Sequence, residues 1–200
     1  LSKNNGITEV SQVEATADPS ALGLGAFALT TFVLSVGNAQ LIPDEAKPAF
    51  LGLAFFYGGL AQLLAGMQDY KKNNVFGATA FSSYGAFWLS LATLTLLEAI
   101  GVINWGAHGG IAIGVFLIGF TVFNTYMWIA SFRTNGAVCG VFTTLEITFI
   151  LLVLAEFGII SSVPGGIMGI VTAAVAWYAS AAGVINSTFK RTVLPIWPLG

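Results

Sequence analysis

Apolar residues run in six long blocks, roughly 20–42, 49–68, 76–100, 107–131, 137–157 and 165–186, separated by short polar or glycine- and proline-rich breaks. Each block is near or above the ~20 residues that a helix needs to cross about 30 Å of hydrocarbon. No Lys or Arg lies inside any block. The pattern predicts an all-α membrane protein of six transmembrane helices, a single domain over 1–200 with 1–19 and 187–200 as tails. Asp18-Pro19 is expected to open the first helix, with Asp18 as N-cap and Pro19 in the first turn. The breaks carry Pro43 and Pro48, Gly101 and Gly106, and Ser161, Ser162, Pro164 and Gly165. Ile7, Val10 and Val13 recur at three-residue spacing, which fits either a short interfacial helix or an unstructured tail.

Charge placement adds orientation. Lys3, Lys71, Lys72, Arg133, Lys190 and Arg191 fall at ends that share one side of a six-span topology; Lys47 alone falls on the other. An excess of six to one predicts that both termini are cytoplasmic. Charged residues make up 8% of the chain, against about 25% in soluble domains, so little of it is expected outside the bilayer. The expected location is the plasma membrane, with lipid as a partner and no nucleic acid. Glycine is abundant, 24 of 200 residues, and much of it lies inside spans, where small residues let helix backbones approach closely.

Candidate chemistry is sparse. The single His108 and single Cys139 lie far apart, and neither paired metal ligands nor a nucleophile elbow occurs. A retinal protein needs a lysine deep in its last helix, whereas Lys190 lies at the helix edge. Haem and metal sites lack ligands. An enzyme is not expected, nor a cofactor. Glu146 stands out: it falls near the middle of the fifth block, where an acidic group is costly and marks function. A proton-coupling or gating role is one reading, a neutral carboxyl bonded to a neighbouring helix the other. Glu98 and Glu156 fall at the outer ends of the third and fifth helices, where they can tune anion entry.

Two stretches are unusually dense. One is Asp18-Pro19-Ser20-Ala21-Leu22-Gly23-Leu24-Gly25-Ala26-Phe27 followed by Thr30-Thr31. The other runs from Phe56-Tyr57-Gly58-Gly59 through Gln62, Asp69-Tyr70-Lys71-Lys72-Asn73-Asn74, Phe76-Gly77 and Ser83-Tyr84-Gly85 to Phe87-Trp88. With the tail Arg191-Thr192-Val193-Leu194-Pro195, these resemble the acetate uptake family, which includes bacterial succinate–acetate permeases and yeast acetate- and ammonia-related membrane proteins. The likeness spans nearly the whole chain. The chain departs from the family pattern at Asp18 (Asn in the family), Ala21 (Pro), Asp69 (Glu) and Val75 (Thr). A negative Asp18 at the mouth of an anion path repels substrate unless it is neutralised or turned away.

The resemblance implies six-helix protomers assembled as hexamers, each with its own pore narrowed by a Phe, a Tyr and a Leu, here Phe27, Tyr84 and Leu145. It implies a pathway through Asp18, Pro19, Ser20, Leu22, Gly23 and Leu24. At 1.5 Å per residue, Phe27, Tyr84 and Leu145 each lie about 12 Å into their helices from one side, and Gln62 about 20 Å from the other. All four then share one layer.

A bare carboxylate in a low-dielectric medium costs on the order of tens of kcal/mol, and no span supplies a cation. The expected donors are Ser20, Thr30, Thr31, Gln62, Ser83, Tyr84, Thr143, Thr144 and the N-termini of helices one, three and five. Acetate is the leading substrate, with succinate and other small carboxylates next and proton coupling an option. The rivals are a channel for a neutral solute such as urea, an amide or ammonia, and a non-transporting sensor or assembly subunit.

Overall fold

The computed structural model describes residues 17–200, so the Ile7–Val13 spacing and Lys3 lie outside the described residues. Six helices long and apolar enough to span a membrane alternate in direction: α1 Ser20–Asn38, α2 Asp44–Lys71, α3 Val75–Ala99, α4 Gly106–Ser131, α5 Gly136–Glu156 and α6 Val163–Phe189. They form a ring in the order α3, α2, α1, α6, α5, α4. Lys71, Lys72, Arg133, Lys190 and Arg191 gather at the end where α1, α3 and α5 begin, termed here the basic end; Lys47 lies at the far end.

Helix bounds differ from the hydropathy blocks where backbone chemistry overrides apolarity. Leu41 and Ile42 extend the first apolar block, but α1 stops at Asn38. Gln40 takes φ 58°, its N–H bonds Gly37 O and the Leu41 N–H bonds Val36 O, the paired bonds of a left-handed helix stop. At the start of α1 the cap position is Pro19 rather than Asp18, although the Asp18 carboxylate accepts the Ser20 N–H at 3.2 Å. Pro164 and Gly165 belong to the first turn of α6 instead of the break before it. α2 is longer than its block, 44–71 rather than 49–68, and changes character along its length: a 3-10 start over Asp44–Ala49, α-helix over Phe50–Phe55, a wide π turn over Phe56–Ala61, and α-helix again from Gln62.

The π turn falls on Gly58-Gly59. A Cβ on Gly58 would lie 2.6 Å from Thr30 Oγ1 on α1, and one on Gly59 would strike Leu89 of α3 and the Ala54 carbonyl. Paired glycines therefore let α2 press against both neighbours while it accommodates the extra residue of a wide turn, a feature common at functional sites. Gln62 follows immediately and is 1% exposed.

α1 and α6 pack antiparallel through small residues. Ser162 Oγ donates to Asn38 O at 2.8 Å at one end, and Ser180 Oγ to Ala21 O at 2.6 Å at the other. At Gly166 a Cβ would meet the backbone of α1, 2.6 Å from Asn38 C and 2.7 Å from Ala39 Cα. Backbone cannot yield as a flexible side chain can. Gly166→Ala is therefore expected to destabilise the bundle by about 1–3 kcal/mol, read as a lower unfolding temperature in detergent; an unchanged temperature contradicts this packing. α4 closes the ring differently. It meets α3 mainly through aromatic rings, with Phe87 stacked on Phe116 at 5.4 Å and edge-on to Phe120 at 4.8 Å. Its outer face carries Ile111, Val115, Ile118, Val122 and Ile129.

Candidate permeation pathway

Phe27 on α1, Tyr84 on α3 and Leu145 on α5 meet inside the ring, each nearly fully buried. The Phe27 and Tyr84 rings pack edge to face at 5.6 Å, and Phe87, Phe123 and Phe142 hold Tyr84 from its other sides. Two chambers flank this collar. The basic-end chamber, ≈ 270 Å³, has Ser20, Leu24, Gln62, Asn74, Ala80, Phe81, Thr134 and Asn135 in its wall. The far chamber, ≈ 110 Å³, has Thr31, Ser35, Asn38, Trp88, Leu91, Thr148 and Glu156. Phe27 and Leu145 line both. α1, α3 and α5 thus each deliver one collar residue near mid-span and chamber wall residues on either side.

Not every candidate residue reaches this space. Leu22 is 46% exposed and faces outward. Gly23 lies behind Phe81, where a Cβ would come within 2.6 Å of the ring, so its role is to let a wall residue seat. Thr30 lies against Gly58 and spends its hydroxyl on Ala26 O at 2.9 Å. Ser83 lies in a surface groove with Val115, Phe116 and Gly119. Thr143 and Thr144 are committed to the Cys139 and Gly140 carbonyls. Ser20, Leu24, Gln62 and Thr31 do line the chambers. Gln62 Oε1 and Thr31 Oγ1 are buried without partners.

The mouth at the basic end neutralises the charge that the sequence makes conspicuous. Lys72 Nζ lies 3.2 Å from Asp18 Oδ1, joining the end of α2 to the entry of α1. Burial opposes ionisation of Asp18, but the Ser20 N–H and hydroxyl and the Lys72 ammonium outweigh it and hold the carboxyl below its usual range. Asp69, fully buried, accepts from Asn74 Nδ2 at 3.1 Å, and Asn74 Oδ1 in turn accepts the Gly77 N–H and starts α3. A Cβ at Gly77 would collide with the Asp69 carboxylate, so only glycine fits beside the Asp69–Asn74 pair.

The helix N-termini are not open anion sites. The Gly136 and Ala137 N–H groups of α5 bond Trp197 O and Ile196 O of the C-terminal segment, at 2.7 and 3.3 Å, and Val138 N–H bonds Asn135 Oδ1. With Ser20 and Gly77 also capped, the first turns contribute their dipoles but few free donors.

Glu146 faces away from the chambers, between α5 and α4, while Leu145 faces inward, as their offset of about 100° on a helix requires. Asn124 Nδ2 donates to Glu146 Oε2 at 2.6 Å and to Phe142 O at 3.2 Å; Thr125 Oγ1 lies 2.7 Å from Glu146 Oε1. Asn124 therefore turns Oδ1 toward Tyr84, whose hydroxyl donates to it at 2.6 Å. The collar phenol has one proton, and Asn124 takes it, so Tyr84 offers a passing carboxylate no hydrogen bond. Sequence reading missed Asn124 and Thr125. Their signal was present as an amide and a hydroxyl at mid-depth in an otherwise apolar fourth block.

Six spans enclosing two chambers inside one chain, parted by a narrow aromatic collar, define a membrane permease or channel for small solutes. The chain belongs to the GPR1/FUN34/yaaH family, whose sequence profile matches residues 2–200. It is 35% identical over 182 residues to the succinate-acetate/proton symporter SatP of Escherichia coli K12, covering 90% of this chain and 95% of that one. It is 36% identical over 194 residues to ammonia transport outward protein 2 of Saccharomyces cerevisiae, covering 93% and 67%. The solved structure of the bacterial acetate channel SatP superposes with a TM-score of 0.85 at 34% identity, over 91% of this chain and 99% of that one.

Proposed function

We propose that the protein carries acetate and similar small monocarboxylates across the membrane through a path inside each chain, with Phe27, Tyr84 and Leu145 as its constriction. One observation carries the reading: Phe27 and Leu145 form the shared wall of two chambers that approach the collar from opposite ends. The names of the acetate-moving relatives agree with it. The substrate path runs past Ser20, Leu24, Gln62 and Thr31, and an acid with a single methyl group suits a neck of aromatic edges. Neutralisation of Asp18 by Lys72 removes the main obstacle to anion entry.

The basic end faces the cytoplasm by the positive-inside bias, in the plasma membrane. The apolar outer faces suit lipid and further copies of the chain, in keeping with the hexamer implied by the family resemblance. Glu146 is the proposed proton-coupling group: it has no ion-pair partner among the described residues and acts on the collar through Asn124 and Tyr84.

Purified protein in liposomes is expected to take up labelled acetate well above protein-free liposomes. Unlabelled acetate should compete, and urea and methylammonium should not. Uptake equal to the protein-free level removes the proposal; competition by methylammonium or urea transfers the reading to a neutral-solute or ammonia pathway, which the yeast relative's name makes the rival.

A further inference from the structure

The two mouths of the pathway treat their carboxylates differently. At the basic end Lys72 pairs with Asp18, and neither residue stands in the chamber wall. At the far end Glu156 does stand in the wall, and it is the one charged residue that lines either chamber. Helical spacing puts it there. Leu145, Phe149, Leu152 and Glu156 share one face of α5 at intervals of three or four residues, and all line the far chamber. The stripe starts at the collar and ends on the carboxylate. The facing helix agrees. A Cβ on Gly110 would lie 3.7 Å from Glu156 Oε2, and Gly110 shares its face of α4 with the wall residues Ile113 and Leu117.

Glu98, the other acid expected at this end, approaches the neighbouring Gly109 from α3, its Oε1 3.8 Å from where a Cβ would stand, and is in neither chamber wall. No cation neutralises Glu156 among the described residues: Lys47 pairs with Asp44 and Lys72 with Asp18, and His108 at the start of α4 is exposed. The last turn of α5 disfavours a negative charge at Glu156, while the first turn of α4 favours it from across the mouth, so the two dipole ends offset.

We propose that the Glu156 carboxylate is a charge filter at the far mouth, selecting acids of single charge over dicarboxylates by repulsion. The inference deepens the transport reading and rests on it. Coulomb energy scales with the charge of the passing ion. The factor by which Glu156 slows a dianion is therefore the square of the factor for a monoanion. Packing by the side chain produces no such relation, because it does not depend on the charge of the solute.

The test is a series of charges at this position, read as initial uptake of labelled acetate and labelled succinate into liposomes at about pH 8, where carboxyl groups are ionised. At an ionic strength of about 10 mM, where charges act over about 30 Å, Glu156→Gln is expected to raise acetate uptake about threefold and succinate uptake about tenfold. Glu156→Lys adds a further step of similar size for each acid. Glu156→Asp keeps the charge and should keep the wild-type ratio of succinate to acetate. In about 1 M sodium gluconate, where screening acts within about 3 Å, the steps should collapse. Equal factors for the two acids, or steps that persist in high salt, mean that the side chain acts by packing and overturn the filter. Acetate uptake unchanged across the series overturns it too and leaves the transport reading standing. If the wild type passes no succinate, the acetate series and its salt dependence decide alone. Wild-type acetate uptake at the protein-free level removes the transport reading and the filter with it.

Discussion

Phe27→Ala is expected to raise acetate flux about tenfold, equivalent to about 1.4 kcal/mol off the barrier to passage, and to admit longer acids such as butyrate. The reason is geometric. Phe27 separates two existing chambers and lines both, so deleting its ring joins them. A buried phenylalanine in a solid core loses about 3–5 kcal/mol on truncation; here part of its surroundings is already empty, and the fold should survive. Liposome uptake of acetate and butyrate by the purified variant, normalised to protein, reads the effect. Unchanged rate and selectivity remove Phe27 from the constriction.

The second large effect is expected at Glu146. Glutamine fits its hydrogen bonds without distortion: the amide oxygen accepts from Asn124 Nδ2, and the amide nitrogen donates to Thr125 Oγ1, which then donates to Thr121 O at 2.9 Å. Glu146→Gln thus imitates a permanently neutral acid. Flux should persist, while its dependence on pH flattens. A pathway limited by one protonated group loses up to about tenfold in rate per pH unit as that group deprotonates, and the variant shows none of that loss. Measurements at constant concentration of the acid form, and again at constant anion, separate protein titration from that of acetate. Retention of the full wild-type pH profile removes Glu146 from coupling. Asn124→Leu supplies the matching control: it cuts the link to Tyr84 while Glu146 remains.

Hydropathy and charge placement were enough to count the spans, because lipid forces each crossing segment to be long, apolar and closed by its own backbone bonds. They could not locate ends set by local geometry, such as the left-handed stop at Gln40 that halts α1 before Leu41 and Ile42. Depth along each block put Phe27, Tyr84, Leu145 and Gln62 in one layer, and the four do line one chamber. Depth says nothing of azimuth, however. Leu22, Thr30 and Ser83 have suitable depth or chemistry but face the outer surface, α2 and an outer groove. The chain Tyr84–Asn124–Glu146 joins three helices, and no spacing within one segment encodes it. The free hydroxyl of Thr31 and the committed one of Thr30 are adjacent and chemically identical in sequence; only the packing at Gly58 and the far chamber distinguishes them.

The route inside each chain is tested most directly by plugging it. Ala80 lines the basic-end chamber, so a thiol placed there meets its lumen. A80C in a Cys139→Ser background, treated with a methanethiosulfonate reagent and checked for complete modification by mass spectrometry, should lose acetate flux down to the protein-free level, while the Cys139→Ser parent keeps it. Full modification of A80C with undiminished flux would mean that the solute passes elsewhere, between chains or not through this space at all.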